Sequence, residues 1–261
     1  MKLPEGHGQL ALVALFGDKQ QQYPELRALL EDLQCSIEKI LGRENFRRYG
    51  ESRVHATIVG LEGYRDGDKI WNRNYHDLFG MRRPMNLGGV LDFLLDDNPV
   101  LPFSVKIGGF RENRTYPFTS RDRSPYLRSF SIQGDTVVIM GWPIANNAYT
   151  SDIDRLRRSF NRFNVLHKYH DTPGARDNDL YLVLGNVPRG LSNRRVDACR
   201  HRMRERLAHA TVPPIQITRE TIGVVAYPEG DAHLERAVHT SLEGARSRID
   251  ELQSFYTALD H

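Results

Sequence analysis

Residues 53–61, Arg-Val-His-Ala-Thr-Ile-Val-Gly-Leu, decide how the fold of this chain is interpreted. The apolar residues around His55 and Thr57 are typical of a strand that is anchored in a core. His55 and Thr57 are two residues apart, and alternate side chains of a strand point to the same face. An imidazole and a hydroxyl on this segment could therefore reach one ligand together.

The segments before this stretch complete a β-α-β unit. Residues 10–16, Leu-Ala-Leu-Val-Ala-Leu-Phe, lack helical periodicity and end at Gly17, which predicts a buried strand. Residues 24–41 carry leucine and isoleucine at helical spacing, and Gly42 supplies a stop signal. The two strands are expected to be a parallel pair or near neighbours.

A second unit of the same order follows later in the chain. Residues 130–140 contain two apolar runs around Gly134-Asp135, which is a strong hairpin signal. A helical pattern follows Ser151, a plausible N-cap. Residues 180–184, Leu-Tyr-Leu-Val-Leu, are predicted to be the closing strand.

One offset relates the two units. Adding 126 to residue numbers 10–16, 24–41 and 55 gives 136–142, 150–167 and 181. A constant offset over strand, helix and strand predicts an internal duplication, although the sequence identities are weak. His55 then corresponds to Tyr181.

The rest of the chain is assigned to the same single domain, residues 1–261. Residues 64–100 are rich in Arg, Asn, Asp and Gly, so they are predicted to be an insertion with one short helix near 75–79. Residues 193–209 are predicted to be a helix, and residues 221–227 a final strand. A C-terminal helical segment is expected over about 232–259.

Composition excludes several classes of protein. The 261 residues are 39% hydrophobic with a net charge of +3, which permits an anionic ligand without indicating a duplex DNA binder. The two cysteines, Cys35 and Cys199, offer neither a disulfide framework nor a metal-binding spacing. The sequence shows no secretory signal and no apolar run of the ~20 residues that span a bilayer. A cytoplasmic protein without membrane contact is expected.

The order of these elements resembles that of the 2H phosphoesterases, which include bacterial 2′-5′ RNA ligase-like proteins and cyclic phosphodiesterases. The segments that carry the resemblance are LALVALF at 10–16, HATIVG at 55–60, PFSVKIGGF at 102–110, the second unit, and ITRETIGVVAYPEGDAHLE at 217–235. The resemblance implies an α+β fold with two pseudo-symmetric β-α-β lobes. Their antiparallel-rich sheets would form a central cleft.

The resemblance also implies a metal-independent reaction without a cofactor. In that family, two H-x-T/S triplets face each other and supply a general base and a general acid, while their hydroxyls bind phosphate. His55 would be the acid or base, and the hydroxyl of Thr57 would bind phosphate by donating a hydrogen bond. The substrate would be a 2′,3′-cyclic phosphate or another nucleotide or RNA phosphodiester. Here Tyr181 and Val183 occupy the second triplet. Tyrosine is a poor base at neutral pH, so Tyr181 is expected to act as a hydrogen-bonding substitute.

This departure leaves the enzyme assignment open. The alternative is a catalytically inactive protein of the same fold that binds a nucleotide, RNA or a protein partner. A structural subunit without a small ligand is a third possibility. The oligomeric state does not follow from the sequence.

Other side chains have both a functional and a structural interpretation. Arg53 could contact an anion from the strand face of His55, and Tyr227 could face the ligand from the last strand. His170-Asp171-Thr172 has the triplet spacing but precedes Pro173-Gly174, which indicates a loop, and His239-Thr240-Ser241 lies in a helical pattern.

Two arginine-rich segments are also open to both interpretations. The arginines of residues 111–128 alternate with aromatic residues and could hold single-stranded RNA. The basic helix at 193–209 could face a nucleic acid or an acidic partner. In both segments, ordinary solvated side chains are the alternative.

Overall fold

A computed structural model describes residues 3–17, 22–80, 83–96, 98–172, 174–229 and 235–258. The strands are, in chain order, β1 (Gly8–Ala14), β2 (Arg47–Arg48), β3 (Ala56–Gly60), β4 (Gly63–Asp66), β5 (Lys69–Asn72), β6 (Phe103–Ile107), β7 (Phe130–Gln133), β8 (Thr136–Ala145), β9 (Ala148–Tyr149), β10 (Leu180–Asn186), β11 (Ile215–Ile217), β12 (Ile222–Pro228) and β13 (Val238–Ser241). The helices are α1 (Pro24–Leu41), α2 (Arg73–Phe79), α3 (Leu87–Leu95), α4 (Pro125–Arg128), α5 (Asp152–Ser159), α6 (Asn193–His209), α7 (Leu242–Ser247) and α8 (Ile249–Ser254). Short 3-10 turns occupy Arg43–Asn45, Glu51–Arg53, Phe160–Phe163 and Arg219–Thr221.

One antiparallel sheet organises these elements. Its strand order is β11-β6-β8-β10-β3-β1-β12-β13, with β2 also paired to β10 and with β7 and β9 also paired to β8. Strands β4 and β5 form a separate hairpin. The pairings between these strands are antiparallel. The predicted α+β class with a mostly antiparallel sheet is therefore confirmed.

Strands β1 and β3 are direct neighbours, but the expectation that they could be parallel is wrong. Ala56 at the start of β3 lies opposite Ala14 at the end of β1. The chain returns from α1 through residues 42–55, including β2, so β3 begins at the end of the sheet where β1 finishes. The predicted hairpin of β7 and β8 is confirmed, with Gln133 opposite Thr136.

The main core lies on one face of the sheet. The inward stripe of α1 consists of Leu26, Leu30, Leu33 and Ile37, which are buried at helical spacing. It joins alternate residues of β1, β3, β8 and β10 in one cluster. The other face carries two smaller apolar clusters, one around Val13 and Val225 and one around Val138 and Trp142. Strands β3 and β10 separate these two clusters.

Three element predictions need correction. The 64–100 segment contains the β4–β5 hairpin and the helices α2 and α3, more structure than its weak periodicity indicated. The helix expected over 150–167 ends earlier, because a 3-10 turn follows α5 and Asn164 adopts a left-handed backbone with φ 59. The C-terminal segment predicted as helical contains β13 before α7 and α8. The parts of that segment at 232–234 and 259 lie outside the described residues.

None of the helices in the described part of the chain combines the length and the apolar character that crossing a bilayer requires.

Candidate functional site in the central groove

The candidate site lies where β3 and β10 meet. Ala56 pairs with Leu182, and both side chains are fully buried in the main core. Since side chains alternate along a strand, Thr57, Tyr181 and Val183 point to the opposite face. These three side chains are partly exposed. The fold therefore brings Thr57, Tyr181 and Val183 to adjacent positions on one face.

Two adjoining cavities occupy this face, and together they are called the central groove here. The His55 cavity has a volume of about 280 Å³, and its polar lining is Tyr49, His55, Thr57, Glu62, Thr136 and Tyr227. The Tyr181 cavity has a volume of about 210 Å³, and its lining includes Gln133, His167, Lys168, Tyr169 and Tyr181. Both cavities are lined by Thr57, Glu62, Thr136 and Val183. The groove is thus continuous across the β3–β10 junction.

His55 is held in one tautomer by the backbone. Its Nδ1 lies 2.7 Å from the carbonyl oxygen of Arg53. A carbonyl only accepts hydrogen bonds, so Nδ1 carries the proton and Nε2 carries the lone pair of the neutral ring. Burial lowers the pKa of His55 below its usual value near 6.5, although the hydrogen bond to Arg53 opposes this shift. The resting ring is neutral at pH 7.

The backbone also fixes where this ring sits. The amide of Val183 on β10 donates to the carbonyl of His55 at 3.1 Å. The ring of Phe16, which follows β1, lies 5.7 Å from the imidazole between ring centres. His55 is 4% exposed and lines the groove from this position.

The hydroxyl of Tyr181 is already engaged by the protein. Arg128 donates to it from Nη2 at 2.9 Å, and it lies 3.3 Å from Oδ2 of Asp179, to which it can donate. Burial, with the charges of Asp177 and Asp179, raises the pKa of Tyr181 far above its ordinary value. The phenol is neutral and bonded within a network.

Asp179 is the centre of that network. Its carboxylate accepts from Ser120 at 2.6 Å, from the indole of Trp142 at 2.7 Å and from Arg128 at 3.0 Å. The Arg128–Asp179 ion pair is buried, so the loss of either residue would leave the charge of the other buried and unpaired. Part of the arginine-rich loop considered for RNA binding therefore faces inward.

Tyr227 lies in the groove, and Arg53 does not. Tyr227 on β12 lines the His55 cavity and forms a side-chain hydrogen bond with Glu62. Burial, assisted by Glu62, raises the pKa of its phenol. Arg53 was expected on the strand face of His55, but it belongs to the 3-10 turn before β3. Its guanidinium lies 5.5 Å from the ring centre of Tyr49, and Arg53 lines neither cavity.

The two other triplets considered from the sequence lie elsewhere. His170 is buried, with Nε2 at 2.9 Å from Asp154, and it lines neither cavity of the groove; Pro173 is outside the described residues. His239 lies on β13, so the expectation of a helix there was wrong. Pairing with β12 places His239 opposite Val225, where its ring stacks on Phe16.

The basic helix α6 also uses arginines internally. Arg200 and Arg204 donate to backbone carbonyls of Ile132 and Phe130 on β7. Arg206 forms an ion pair with Asp32 on α1. These contacts join α6 to β7 and α1, so the arginines of α6 are not all solvated surface side chains.

Sequence reasoning missed Arg157, His167 and Asp177. Arg157 on α5 is 1% exposed and donates to the carbonyls of Thr57, Ile58, Asp177 and Asp179. It thereby ties β3 to the segment that leads into β10. Asp177 accepts from His167 at 2.7 Å and lies 3.4 Å from Arg157. No local spacing signals these contacts, because Arg157 is about 100 residues from β3.

Comparison of the chain with protein-family models, with curated proteins and with solved structures finds no match.

Proposed function

We propose that this chain is a metal-independent phosphoesterase of the 2H type. Its substrate would be a 2′,3′-cyclic phosphate or another nucleotide or RNA phosphodiester. The observation that carries the proposal is that His55 and Thr57 line one groove at the centre of the sheet. Phosphodiester cleavage needs an acid or base at the reacting oxygens and a hydrogen-bond donor at the phosphate. An imidazole and a hydroxyl at the same cavity would supply these two groups.

The strand order supports a two-lobed, duplicated arrangement. Read from the central pair outward, β3, β1, β12 and β13 on one side correspond to β10, β8, β6 and β11 on the other. Strand β6, which follows the first unit, joins the half of β8, and β12, which follows the second unit, joins the half of β1. We infer two pseudo-symmetric lobes that exchange an outer strand, with the groove between them.

His55 suits proton transfer in this proposal. Its Nδ1 is held by the Arg53 carbonyl, so Nε2 is the nitrogen that exchanges a proton with substrate. The hydroxyl of Thr57 would donate to a phosphate oxygen. Lys168, on the wall of the Tyr181 cavity, adds a positive charge that favours a phosphate there.

One observation favours the alternative of binding without turnover. The hydroxyl of Tyr181 is engaged by Arg128 and Asp179, and Val183 offers no donor. If no other group completes the proton transfers, the groove would hold a nucleotide or an RNA end as a sensor does. Retained binding with no turnover distinguishes this second candidate.

The test is hydrolysis of 2′,3′-cyclic nucleotides and of RNA ending in a cyclic phosphate, with the variant His55→Asn. Asparagine can still donate from the Nδ1 position to Arg53 but has no equivalent of Nε2. We expect kcat to fall by about 100-fold or more, since general acid–base catalysis contributes about 10²–10⁴.

The matched control is His201→Asn, which changes an exposed histidine on α6. It should leave the rate unchanged. Hydrolysis that survives in His55→Asn would refute the proposal, and wild-type binding without hydrolysis would select the sensor.

A further inference from the structure

Two residues that line the Tyr181 cavity each carry a buried side-chain atom without a hydrogen-bond partner among the described residues. These atoms are Nδ1 of His167 and Nε2 of Gln133. Buried polar atoms are nearly always satisfied, so two unsatisfied atoms in residues of one cavity need an explanation. A ligand that both donates and accepts would supply the missing partners.

The state of His167 follows from its other nitrogen. Nε2 lies 2.7 Å from Oδ2 of Asp177, and a carboxylate accepts, so Nε2 carries the proton. Nδ1 of the neutral ring then carries the lone pair, and His167 is 5% exposed. An imidazole oriented by a carboxylate is the arrangement that general bases use, because the carboxylate stabilises the imidazolium that forms.

Contacts within the protein link His167 to the other half of the site. Asp177 lies 3.4 Å from Arg157, and Arg157 donates to the backbone carbonyl of Thr57 at 3.1 Å. Thr57 lines the cavity of His167 as well as that of His55. The two imidazoles therefore line adjoining cavities that share Thr57.

We infer that His167, oriented by Asp177, supplies the second proton-transfer group of the central groove in place of Tyr181. This inference rests on the proposed function, which it deepens. The second imidazole comes from the loop before β10 and not from β10 itself. Gln133 donates to a phosphate or ribose oxygen of the same ligand.

The step balances with these two groups. Nδ1 of His167 takes a proton from water while the water oxygen bonds to phosphorus. The phosphorus–oxygen bond of the cyclic ester breaks, and the leaving ribose oxygen takes a proton from Nε2 of His55 in its imidazolium form. The product is a nucleoside monophosphate monoester. Solvent returns a proton to His55 and removes one from His167.

The surroundings of His167 determine its pH range. Burial and the charge of Arg157 lower its pKa to about 4, opposed by Asp177, and His170 and Tyr169 are its ring neighbours. Activity needs neutral His167 and protonated His55, whose pKa lies below 6.5. The kcat/KM profile is therefore bell-shaped with its maximum on the acidic side of 6.5.

The first test observes the rings directly. The full chain is labelled with ¹⁵N-histidine and titrated with pH in the presence and absence of adenosine 2′-monophosphate, a product-type ligand. We expect the Nδ1 signal of His167 to shift and its pKa to rise by at least about one unit, because the phosphate charge favours the imidazolium. His170 is the internal control, since it has the same pairing to a carboxylate but does not line the groove.

The outcomes separate the two proposals. Responses of both His55 and His167 support the inference. A response of His55 alone overturns the inference and leaves the proposed function standing. A response of His167 alone supports the assignment of His167 and overturns that of His55. No response of either ring overturns both.

The second test is kinetic and uses His167→Gln. Glutamine can keep the donor to Asp177 while removing the Nδ1 acceptor. We expect kcat/KM to fall about 100-fold near the optimum and the acidic limb of the profile to disappear. His170→Gln should keep both limbs. An acidic limb that persists in a folded His167→Gln protein would overturn the inference even if His55→Asn is inactive.

Discussion

At the residue scale, each imidazole of the central groove has one nitrogen occupied by the protein. The Arg53 carbonyl holds Nδ1 of His55, and the Asp177 carboxylate holds Nε2 of His167. The opposite nitrogen of each neutral ring carries the lone pair, so the supporting group determines which atom can react. Thr57 differs from both histidines, because its hydroxyl would donate a hydrogen bond to the phosphate.

Thr57→Val tests the hydroxyl separately from the shape of the side chain. Removal of a donor to a charged phosphate should cost about 2 kcal/mol of transition-state binding, which corresponds to a loss of roughly 30-fold in kcat/KM. Thr57→Ser keeps the hydroxyl and should stay within roughly threefold of wild type. Steady-state kinetics with a 2′,3′-cyclic nucleotide measures both. Equal losses in the two variants would mean that packing, and not phosphate contact, is responsible.

At the scale of elements, α5 stabilises the junction of β3 and β10 through one side chain. Those two strands share only a short pairing at Ala56 and Leu182. Arg157 adds hydrogen bonds to carbonyls on β3 and on the segment before β10. Its position therefore determines how the two halves of the groove meet.

Arg157→Met should destabilise the protein by about 3–5 kcal/mol, because it removes the buried charge that pairs with Asp177 and leaves several buried carbonyls without their donor. Arg155→Met is the matched control on the same helix, since the Arg155 side chain is largely exposed and its buried partner Asp152 also accepts from Thr150. That change should cost about 0–1 kcal/mol. Urea unfolding followed by circular dichroism measures both. Similar values for the two variants would contradict the role given to Arg157.

At the scale of the whole molecule, the buried histidines and aspartates make stability depend on pH. His55 and His167 have lowered pKa values in the folded chain, chiefly through burial. Hydrogen bonds from His170 and Arg158 lower the pKa of Asp154, and His167 and Arg157 lower that of Asp177, each against the cost of burial. The histidine and aspartate contributions fall in different pH windows.

Stability should fall as the pH drops from about 6.5 to about 4, because the unfolded chain binds a proton at His167 that the folded chain does not. The loss from this one group is roughly 3 kcal/mol. Below that window the aspartates add a further loss, since they must be protonated on unfolding. Urea unfolding at a series of pH values measures the slope. A slope between pH 4 and 6.5 that is unchanged in His167→Gln would contradict this account.

Much of the architecture follows from the sequence alone. The apolar run of β1, the helical spacing in α1 and the Gly134-Asp135 turn are local signals, and each led to the element observed. Alternation along the strand predicted at 53–61 indicated that His55 and Thr57 could reach one ligand, and both line one cavity. These features depend on a few neighbouring residues, so they can be read without knowing how the chain packs.

The direction of β3, the strand at β13 and the composition of the groove depend on contacts between residues that are distant in sequence. His239 is in a strand because β12 pairs with its segment, which helical spacing could not show. The hydroxyl of Tyr181 is engaged because Arg128, distant in sequence, lies beside it. Burial and contacts across such separations set hydrogen-bond partners and pKa values, and the sequence holds no local record of either.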